Sequence, residues 1–420
     1  MDAKIKEKLV ILVRSGHASQ AAELCRCLGY PMVLNGYSFE GADLSESVLR
    51  QADLSEACFR RANLSDADLS ATQLVRCRFA FANLNGADLR QANLTESDLS
   101  EASLSQADLS AAILTQANMR MADLNAVRLH GANLQHADLK EASLIEASII
   151  DADLSGANLQ HADLHGAVIR NVRLEGTNLS GADLRHADLS GADLSKVTLD
   201  GALYSEQTQW PEAFPHTTCG ALGPGATPEG VDLREAPLRS AQLNDARLTR
   251  VVLSGKDLDG VDLSAIVIAE STLQQASLKE ADLSVAALEH CDLSQANLLR
   301  ANLRRVEATS SRFHACNCRW ADLELAALAE ADFTNASCEW ANLSDADLRR
   351  ANLTGAGLFG ASLRGADLRG ASLRFCDLRD TDLRDTDLMD ARLDGSIYSQ
   401  QTQWPDGFDP KHAQHDLMML

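Results

Sequence analysis

The chain has 420 residues and a formal net charge of −22, and aromatic residues make up only 4% of it. This length suffices for two or three ordinary domains, but Leu and Ala supply most of the apolar content and leave few rings for a thick core. The acidic balance disfavours direct binding to nucleic acid and to anionic membrane surfaces. A cationic partner fits the charge better.

The first 36 residues predict a helical cap. Ala3–Arg14 and Ala18–Leu28 have amphipathic patterns, and Gly29-Tyr30-Pro31 ends the second helix. The apolar run Leu9–Val13 is too short for a signal-peptide core or a membrane span. The ten cysteines show no disulfide spacing, so we expect a reducing, cytoplasmic setting with no role at a membrane.

A five-residue repeat begins after this segment. Runs such as Gly41-Ala42-Asp43-Leu44-Ser45 place Leu at a position that we call i, a small residue at i−2, and Asp or Asn at i−1. The i positions recur every five residues over Phe39–Tyr204 and again, out of phase, over Leu233–Tyr398. Such fixed-period self-similarity is typical of solenoid proteins.

The period of five excludes the two regular structures. Five residues advance by about 140° on an α-helix, so the leucines would spiral around every face. On a straight strand, side chains alternate with period two, and successive leucines would point to opposite faces. The chain must therefore turn a corner once per repeat, with i−2 and i pointing inward and the other positions pointing to solvent or forming the corner.

Unusual residues recur at intervals of 20, which indicates how many repeats close one coil. Residues stacked on neighbouring strands favour matching types, so this spacing predicts four repeats per coil and a square cross-section. The recurring residues are Phe39, Phe59 and Phe79; Phe313 and Phe333; Cys318 and Cys338; and Trp320 and Trp340.

The repeated Ala-Asp/Asn-Leu pattern resembles the pentapeptide-repeat family. The resemblance implies an all-β solenoid, a right-handed quadrilateral β-helix, in each of the two blocks. Both blocks also end alike, at Tyr204–Pro211 and Tyr398–Pro405, and this ending is similar to that of cyanobacterial members. The aromatic residues of the ending are expected to cap the last coil.

The pattern divides the chain into five segments. We expect an N-terminal helical cap, a first β-helix, a terminal cap with a linker, a second β-helix, and a C-terminal cap with a tail. The segments are residues 1–36, 37–204, 205–230, 231–398 and 399–420.

Three groups of residues suggest chemistry, but the repeat register argues against each. Cys316 and Cys318 point inward while His314 points outward, so they cannot converge on one metal ion. Cys25 and Cys27 face different sides of a helix. The histidines at 25-residue spacing lie on different sides of the coil; they are His136, His161 and His186. We therefore predict no catalytic residues, no metal and no cofactor.

The candidate interaction surface consists of residues expected on the outside of the second block. Trp320 and Trp340 should stack on adjacent coils, where large exposed aromatics favour an interface or packing against a neighbouring segment. A set of arginines at i+1, interleaved with Asp380, Asp385 and Asp390, predicts a self-compensated charged surface. Its members in the candidate surface are Arg349, Arg364, Arg369 and Arg384.

The leading functional hypothesis is a non-catalytic scaffold that presents flat faces to a protein partner. The alternative is an acidic DNA mimic that binds a DNA-processing protein such as a type II topoisomerase, as the resemblance implies for some members of the family. Duplex DNA, however, carries one charge per about 1.7 Å. The acidic side chains of this chain are spaced more widely along the predicted coils and are mixed with arginines. An enzyme is the third hypothesis, and the oligomeric state is left open.

Overall fold

The computed structural model describes residues 3–243, 245–410 and 417–419. The chain forms two compact units, Met1–His216 and Thr217–Leu420. The first unit begins with α1 (Ala3–Arg14) and α2 (Ala18–Leu28), which pack against each other. The predicted helical hairpin is therefore confirmed. No helix in the described ranges is both long and apolar enough to cross a membrane.

The hairpin is fastened to the first coil through Arg14. Its Nε and Nη2 atoms donate hydrogen bonds to the carbonyl oxygen of Ser38, at 2.9 and 2.6 Å. Leu9 and Val13 at the hairpin are fully buried. An isolated helix would leave the apolar stripe of Leu9 and Val13 exposed to water. Because this stripe is buried and Arg14 binds Ser38, the hairpin closes the start of the β-helix.

The coils are held together by parallel backbone pairing between residues 20 positions apart. Asp43 pairs with Asn63, for example, and Asn63 pairs with Asn83. The predicted square coil of four repeats is thus confirmed, as is the right-handed β-helix class. Pairing begins at Val33, which pairs with Asp53, one repeat earlier than the first repeat in the sequence pattern.

Each corner is a tight turn of fixed conformation. The N–H of Ala42 donates to the carbonyl of Phe39 at 3.0 Å, and Gly41 between them has a φ of +65°. Position i+2 is left-handed at corner after corner, including non-glycine residues such as Glu46 and Gln51. A turn with positive φ at its third residue favours Gly or Asn, which explains the many glycines at i+2.

Three pairs of short strands extend this bridge pattern. In the first unit, β1 (Ser148–Ile150) pairs in parallel with β2 (Val168–Arg170). In the second unit, β3 (Arg247–Thr249) pairs with β4 (Val267–Ala269). The strand β5 (Ile397–Tyr398) pairs with β6 (Met418–Met419) from the end of the chain.

One repeat of the second unit departs from the pattern. A 3₁₀ helix spans Leu238–Ser240 directly after Pro237. Because proline has no N–H to donate to a backbone ladder, the regular repeat is interrupted at this point. Regular pairing includes Val252 with Thr272 and continues through the rest of the unit.

The core of each unit is a column of inward side chains. Leu at i and Ala at i−2 are buried along both blocks. The phenyl rings stack along the axis as predicted: their centroids are 5.2 Å apart for Phe39 and Phe59, and 4.5 Å apart for Phe313 and Phe333. The core is therefore narrow and continuous, and its rings match from coil to coil.

Both β-helices end with the same aromatic contacts. Tyr204 meets Trp210 edge-on at 5.6 Å, and Tyr398 meets Trp404 edge-on at 5.7 Å. At each ending the pairing interval lengthens from 20 to 21 residues, since Asp188 pairs with Gln209 and Asp382 pairs with Gln403. The extra residue lets the chain cross the coil end and bring its aromatic rings together there.

Candidate interaction surface

Trp320 and Trp340 lie at one corner on adjacent coils of the second β-helix. Their rings stack with centroids 5.4 Å apart and an angle of 10° between the planes. The two side chains are 53% and 44% exposed. Their backbones are fixed by the ladder, because the Trp320 N–H donates to the Glu339 carbonyl and the Trp340 N–H donates to the Phe359 carbonyl. The pair is therefore both exposed and held in place.

The aromatic surface extends one coil further through Phe359. The rings of Trp340 and Phe359 meet edge-on at 5.3 Å, and the Arg379 guanidinium lies 5.6 Å from the Phe359 centroid. We call Trp320, Trp340 and Phe359 the aromatic corner. The sequence pattern places Arg379 among the i+1 arginines but does not predict its contact with Phe359, and it does not single out Phe359 at all.

A glycine lies next to several large side chains at i+2. A β-carbon added to Gly360 would lie 2.6 Å from the Trp340 ring, and one added to Gly395 would lie 2.5 Å from the Phe375 ring. The i+2 side chain thus lies across the same position of the next coil. For Trp340 and Phe375 the residue 20 positions later is a glycine, whereas Trp320 stacks on a second indole.

The arginines of the candidate surface are mostly paired within their own repeat. In each Asp-Leu-Arg sequence, the guanidinium makes a two-pronged hydrogen bond to the carboxylate two residues earlier; for Arg349 and Asp347 the distances are 2.7 and 2.6 Å. The other pairs are Asp88 with Arg90, Asp183 with Arg185, Asp232 with Arg234, Asp367 with Arg369, Asp377 with Arg379, and Asp382 with Arg384.

Arg364 differs because Ser362, not Asp, stands two residues before it. Its Nε donates to Asp385 at 3.0 Å. Of the three i+2 aspartates expected to interleave with the arginines, Asp385 is the one with an ion pair among the described contacts. The charge compensation therefore comes mainly from i−1 carboxylates rather than from i+2 carboxylates.

These pairs hold the carboxyl groups ionised. The hydrogen bond from Arg384 lowers the pKa of Asp382, against the opposing effect of burial. The hydrogen bond from Arg349 likewise lowers the pKa of Asp347. A bidentate ion pair uses the planar fork of the guanidinium, so the positive charge of each of these arginines is compensated by a carboxylate of its own repeat.

The structure does not gather all the candidate residues in one place. Arg349 and Arg369 lie two repeats away from the Trp320 and Trp340 positions, at the opposite corner of the square coil. There they line a shallow depression of 490 Å³ with Arg350, Gly370 and Met389 among others. Arg349 and Arg369 therefore lie on a surface separate from the aromatic corner, whereas the paired Arg379 lies beside Phe359.

The cysteine cluster is part of the core. Cys316 and Cys318 are fully buried, with their sulfur atoms 3.0 Å apart. Burial raises the pKa of Cys316, which keeps the thiol protonated. In the described parts of the chain, no group of three or more His, Cys, Asp or Glu residues is arranged to hold a metal ion. Cys25 is buried and Cys27 is exposed.

The repeat geometry defines a class of protein, and comparison with known families agrees with it. The family model described as pentapeptide repeats (8 copies) matches most of the chain, so the chain belongs to the pentapeptide-repeat family. The matched residues are 34–70, 72–110, 92–131, 102–140, 122–160, 162–201, 246–284, 257–295, 281–317, 311–350, 321–358 and 357–395.

Solved pentapeptide-repeat proteins from cyanobacteria are among the similar structures. Rfr23 from Cyanothece 51142 is 32% identical, with 27% of this chain and 63% of that chain covered and a TM-score of 0.21. HetL from Nostoc sp. strain PCC 7120, involved in heterocyst differentiation regulation, is 24% identical, with 83% and 94% covered and a TM-score of 0.16.

A third similar structure is QnrB1, a plasmid-mediated fluoroquinolone resistance protein. It is 19% identical to this chain, with 43% of this chain and 91% of that chain covered and a TM-score of 0.28. No curated protein matches the sequence. The similarity to these solved structures concerns the fold.

Proposed function

We propose that the protein is a non-catalytic scaffold that binds a protein partner through the aromatic corner. The observation that carries this proposal is the stack of two exposed indoles, Trp320 and Trp340, on a rigid backbone ladder. Tryptophan is enriched among the residues that dominate the energy of protein interfaces. A scaffold of this kind needs no substrate pocket, because its extended surface makes the contacts.

The aromatic corner is organised before any partner arrives. Each indole is restrained by its neighbour, and Trp340 is further restrained by Gly360 and Phe359. Ordering a flexible side chain on binding costs about 0.5–1.5 kcal/mol, and a preformed stack avoids much of this cost. The paired arginines elsewhere on the second β-helix contribute solubility rather than partner affinity in this proposal.

Site-specific cross-linking tests the proposal. A photoreactive amino acid is placed at Trp340 and, as the matched control, at Glu330, which occupies the same i+2 position at the opposite corner. We expect illumination in the source cells to give a discrete protein adduct at position 340 and none at 330. The combined Trp320→Ser and Trp340→Ser variant should then fail to bind that purified protein. Equal adducts at both positions would refute the proposal.

The DNA-mimic alternative is supported by carboxylates that stay ionised along the ladders. The pKa of Asp108 is low because hydrogen bonds from Ser110 and the charge of Arg128 outweigh its burial. The Asp-Leu-Arg pairs argue against this alternative, since the arginines compensate the negative charge of the aspartates in these sequences. A supercoiling assay with a type II topoisomerase distinguishes the two proposals. If the protein inhibits supercoiling, and the combined Trp320→Ser and Trp340→Ser variant inhibits it equally, DNA mimicry is favoured over the scaffold.

We also propose a cytoplasmic location. None of the ten cysteines forms a disulfide, and reducing compartments keep thiols in this state. Fractionation of the source cells, with detection by an antibody to the chain, tests this part of the proposal.

A further inference from the structure

Two histidines meet on the surface of the first β-helix. The ring centroids of His165 and His186 are 4.9 Å apart, and the planes are tilted by 48°. His165 is at i+1 of one repeat, and His186 is at i+2 of the same corner on the next coil. His165 is half-buried and His186 is exposed. Both rings are thus within reach of solvent and of each other.

The backbone around the pair is fixed by the ladder. The N–H of Gly166 donates to the carbonyl of Arg185 at 3.0 Å, which ties the two coils together between the histidines. The N–H of His165 donates to Asp163 Oδ1 at 3.0 Å, and the N–H of His186 donates to Ser205 Oγ at 3.2 Å. The backbone positions of the two histidines are therefore fixed, and the direction of each imidazole nitrogen depends on the side-chain torsions.

Gly166 leaves the pair accessible. Gly166 and His186 occupy the same i+2 position on successive coils. A larger residue in place of Gly166 would extend across His186, as other i+2 side chains extend across the next coil. The nearest atom to a β-carbon at Gly166 would be Cγ of Glu146, at 3.6 Å. Three carboxylates at this corner and its adjoining face, Glu146, Asp163 and Asp183, outnumber the one guanidinium, that of Arg185. The local charge therefore favours a cation.

We propose that His165 and His186 chelate a divalent transition metal of the zinc, nickel or copper class, with one imidazole nitrogen from each histidine. Imidazole suits these metals, and Zn–N bonds of about 2.0–2.1 Å place two nitrogens on one ion roughly 3 Å apart. Water completes the coordination. Because the ligands come from successive coils, the bound ion clips one coil to the next near the end of the first β-helix.

The other regularly spaced histidines lack this arrangement. A β-carbon at Gly156 would lie 2.4 Å from Nδ1 of His136, and one at Gly181 would lie 2.4 Å from Nδ1 of His161. Each of these rings lies across a glycine instead of another histidine. His161 is therefore the matched control, since it is a surface histidine of the same unit.

The test is a titration of the full chain with zinc chloride, in a background with Cys27→Ser and Cys219→Ser that removes competing thiols. The proton and carbon resonances of the imidazole rings are followed, and the thermal unfolding midpoint is measured with and without zinc. We expect the His165 and His186 signals to shift together in one binding step, and zinc to raise the unfolding midpoint.

The variants make the outcome specific. His165→Asn and His186→Asn should each abolish the joint shift and the zinc-dependent rise in the unfolding midpoint, because one imidazole alone does not chelate. His161→Asn should leave both intact. The proposal is overturned if zinc leaves the His165 and His186 resonances in place, or if His161→Asn removes the effect as completely as the other two variants.

Discussion

The indole of Trp340 lies across Gly360 on the next coil, so closely that a β-carbon on the glycine would lie 2.6 Å from Cε3 and Cζ3. Gly360 has a φ of +67°, and Gly370, at another corner of the same unit, has a φ of +68°. A β-carbon at Gly370 would meet only Cγ of Arg350, at 3.5 Å. The two glycines therefore separate the effect of backbone conformation from the effect of ring packing.

Gly360→Ala should displace Trp340, whereas Gly370→Ala should not. Both variants place alanine in the left-handed region, which costs about 1–2 kcal/mol. This backbone contribution should lower the free energy of unfolding by a similar amount in both. Gly360→Ala should lower the free energy of unfolding further, because the new β-carbon displaces the Trp340 ring. It should also lose the near-ultraviolet circular dichroism of the stacked Trp320 and Trp340. An unchanged tryptophan signal in Gly360→Ala would show that the Trp340 ring does not lie against Gly360.

The regular part of the fold could be predicted because it depends on one repeated local rule. The period of five fixes which residues point inward, and Phe59 and Phe79 at a spacing of 20 reveal the size of the coil; their rings stack at 4.9 Å. Departures from the rule were harder to predict. The 3₁₀ helix at Leu238–Ser240 and the added strand at Met418–Met419 arise from contacts that no repeat position specifies.

The candidate surface was predictable only in part, for a physical reason. The stacking of Trp320 and Trp340 follows from their equal repeat positions. The partners of the arginines depend instead on side-chain direction: in Asp-Leu-Arg the i−1 carboxylate lies beside the i+1 guanidinium, so Arg384 turns back to Asp382 and not to Asp385. Sequence spacing alone does not give that direction.

Truncation of a core ring should be costly. Phe333 is fully buried and its ring is parallel to that of Phe313 within 3°. Phe333→Ala should lower the free energy of unfolding by about 3–5 kcal/mol, since the narrow core cannot collapse around the cavity. Phe375→Ala, at a side chain that is 60% exposed, should cost less than about 1 kcal/mol. Urea unfolding followed by tryptophan fluorescence measures both; equal losses would mean that the axis is not tightly packed.

The pairing of Asp382 with Arg384 should be visible in acid titration. The hydrogen bond from Arg384 lowers the pKa of Asp382. A carboxyl whose pKa is lower in the folded state contributes stability above its unfolded pKa of about 3.9, and this contribution is lost as the pH falls through the folded value. The free energy of unfolding should therefore decline as the solution is acidified below about pH 4.

Arg384→Gln isolates this contribution. It should raise the pKa of Asp382 towards its ordinary value, as read from the carboxyl carbon resonance, and should change stability near neutral pH only slightly because the guanidinium is exposed to solvent. Arg350→Gln, which removes a contact to Glu330, is the control and should leave the Asp382 titration unchanged. If Arg384→Gln leaves it unchanged as well, the ion pair does not form in solution.

The thiols should divide sharply by reactivity. Burial raises the pKa of Cys77 to about 12 and that of Cys376 to about 12, and alkylation requires the thiolate. Cys27 is exposed, and a hydrogen bond with Glu23 is the first cause of its raised pKa. At about pH 8, iodoacetamide should therefore label Cys27 quickly, while Cys77 and Cys376 should react only after denaturant is added.

Glu23→Gln provides the internal comparison for the thiols. Removing the carboxylate should lower the pKa of Cys27 and speed its labelling at fixed pH, because the thiolate is no longer destabilised by a neighbouring negative charge. The labelling of Cys77 and Cys376 should not change, since it depends on opening of the coils and not on the helical cap. Rapid labelling of Cys376 in the native protein would show that the second β-helix opens far more readily than a continuous ladder of backbone hydrogen bonds allows.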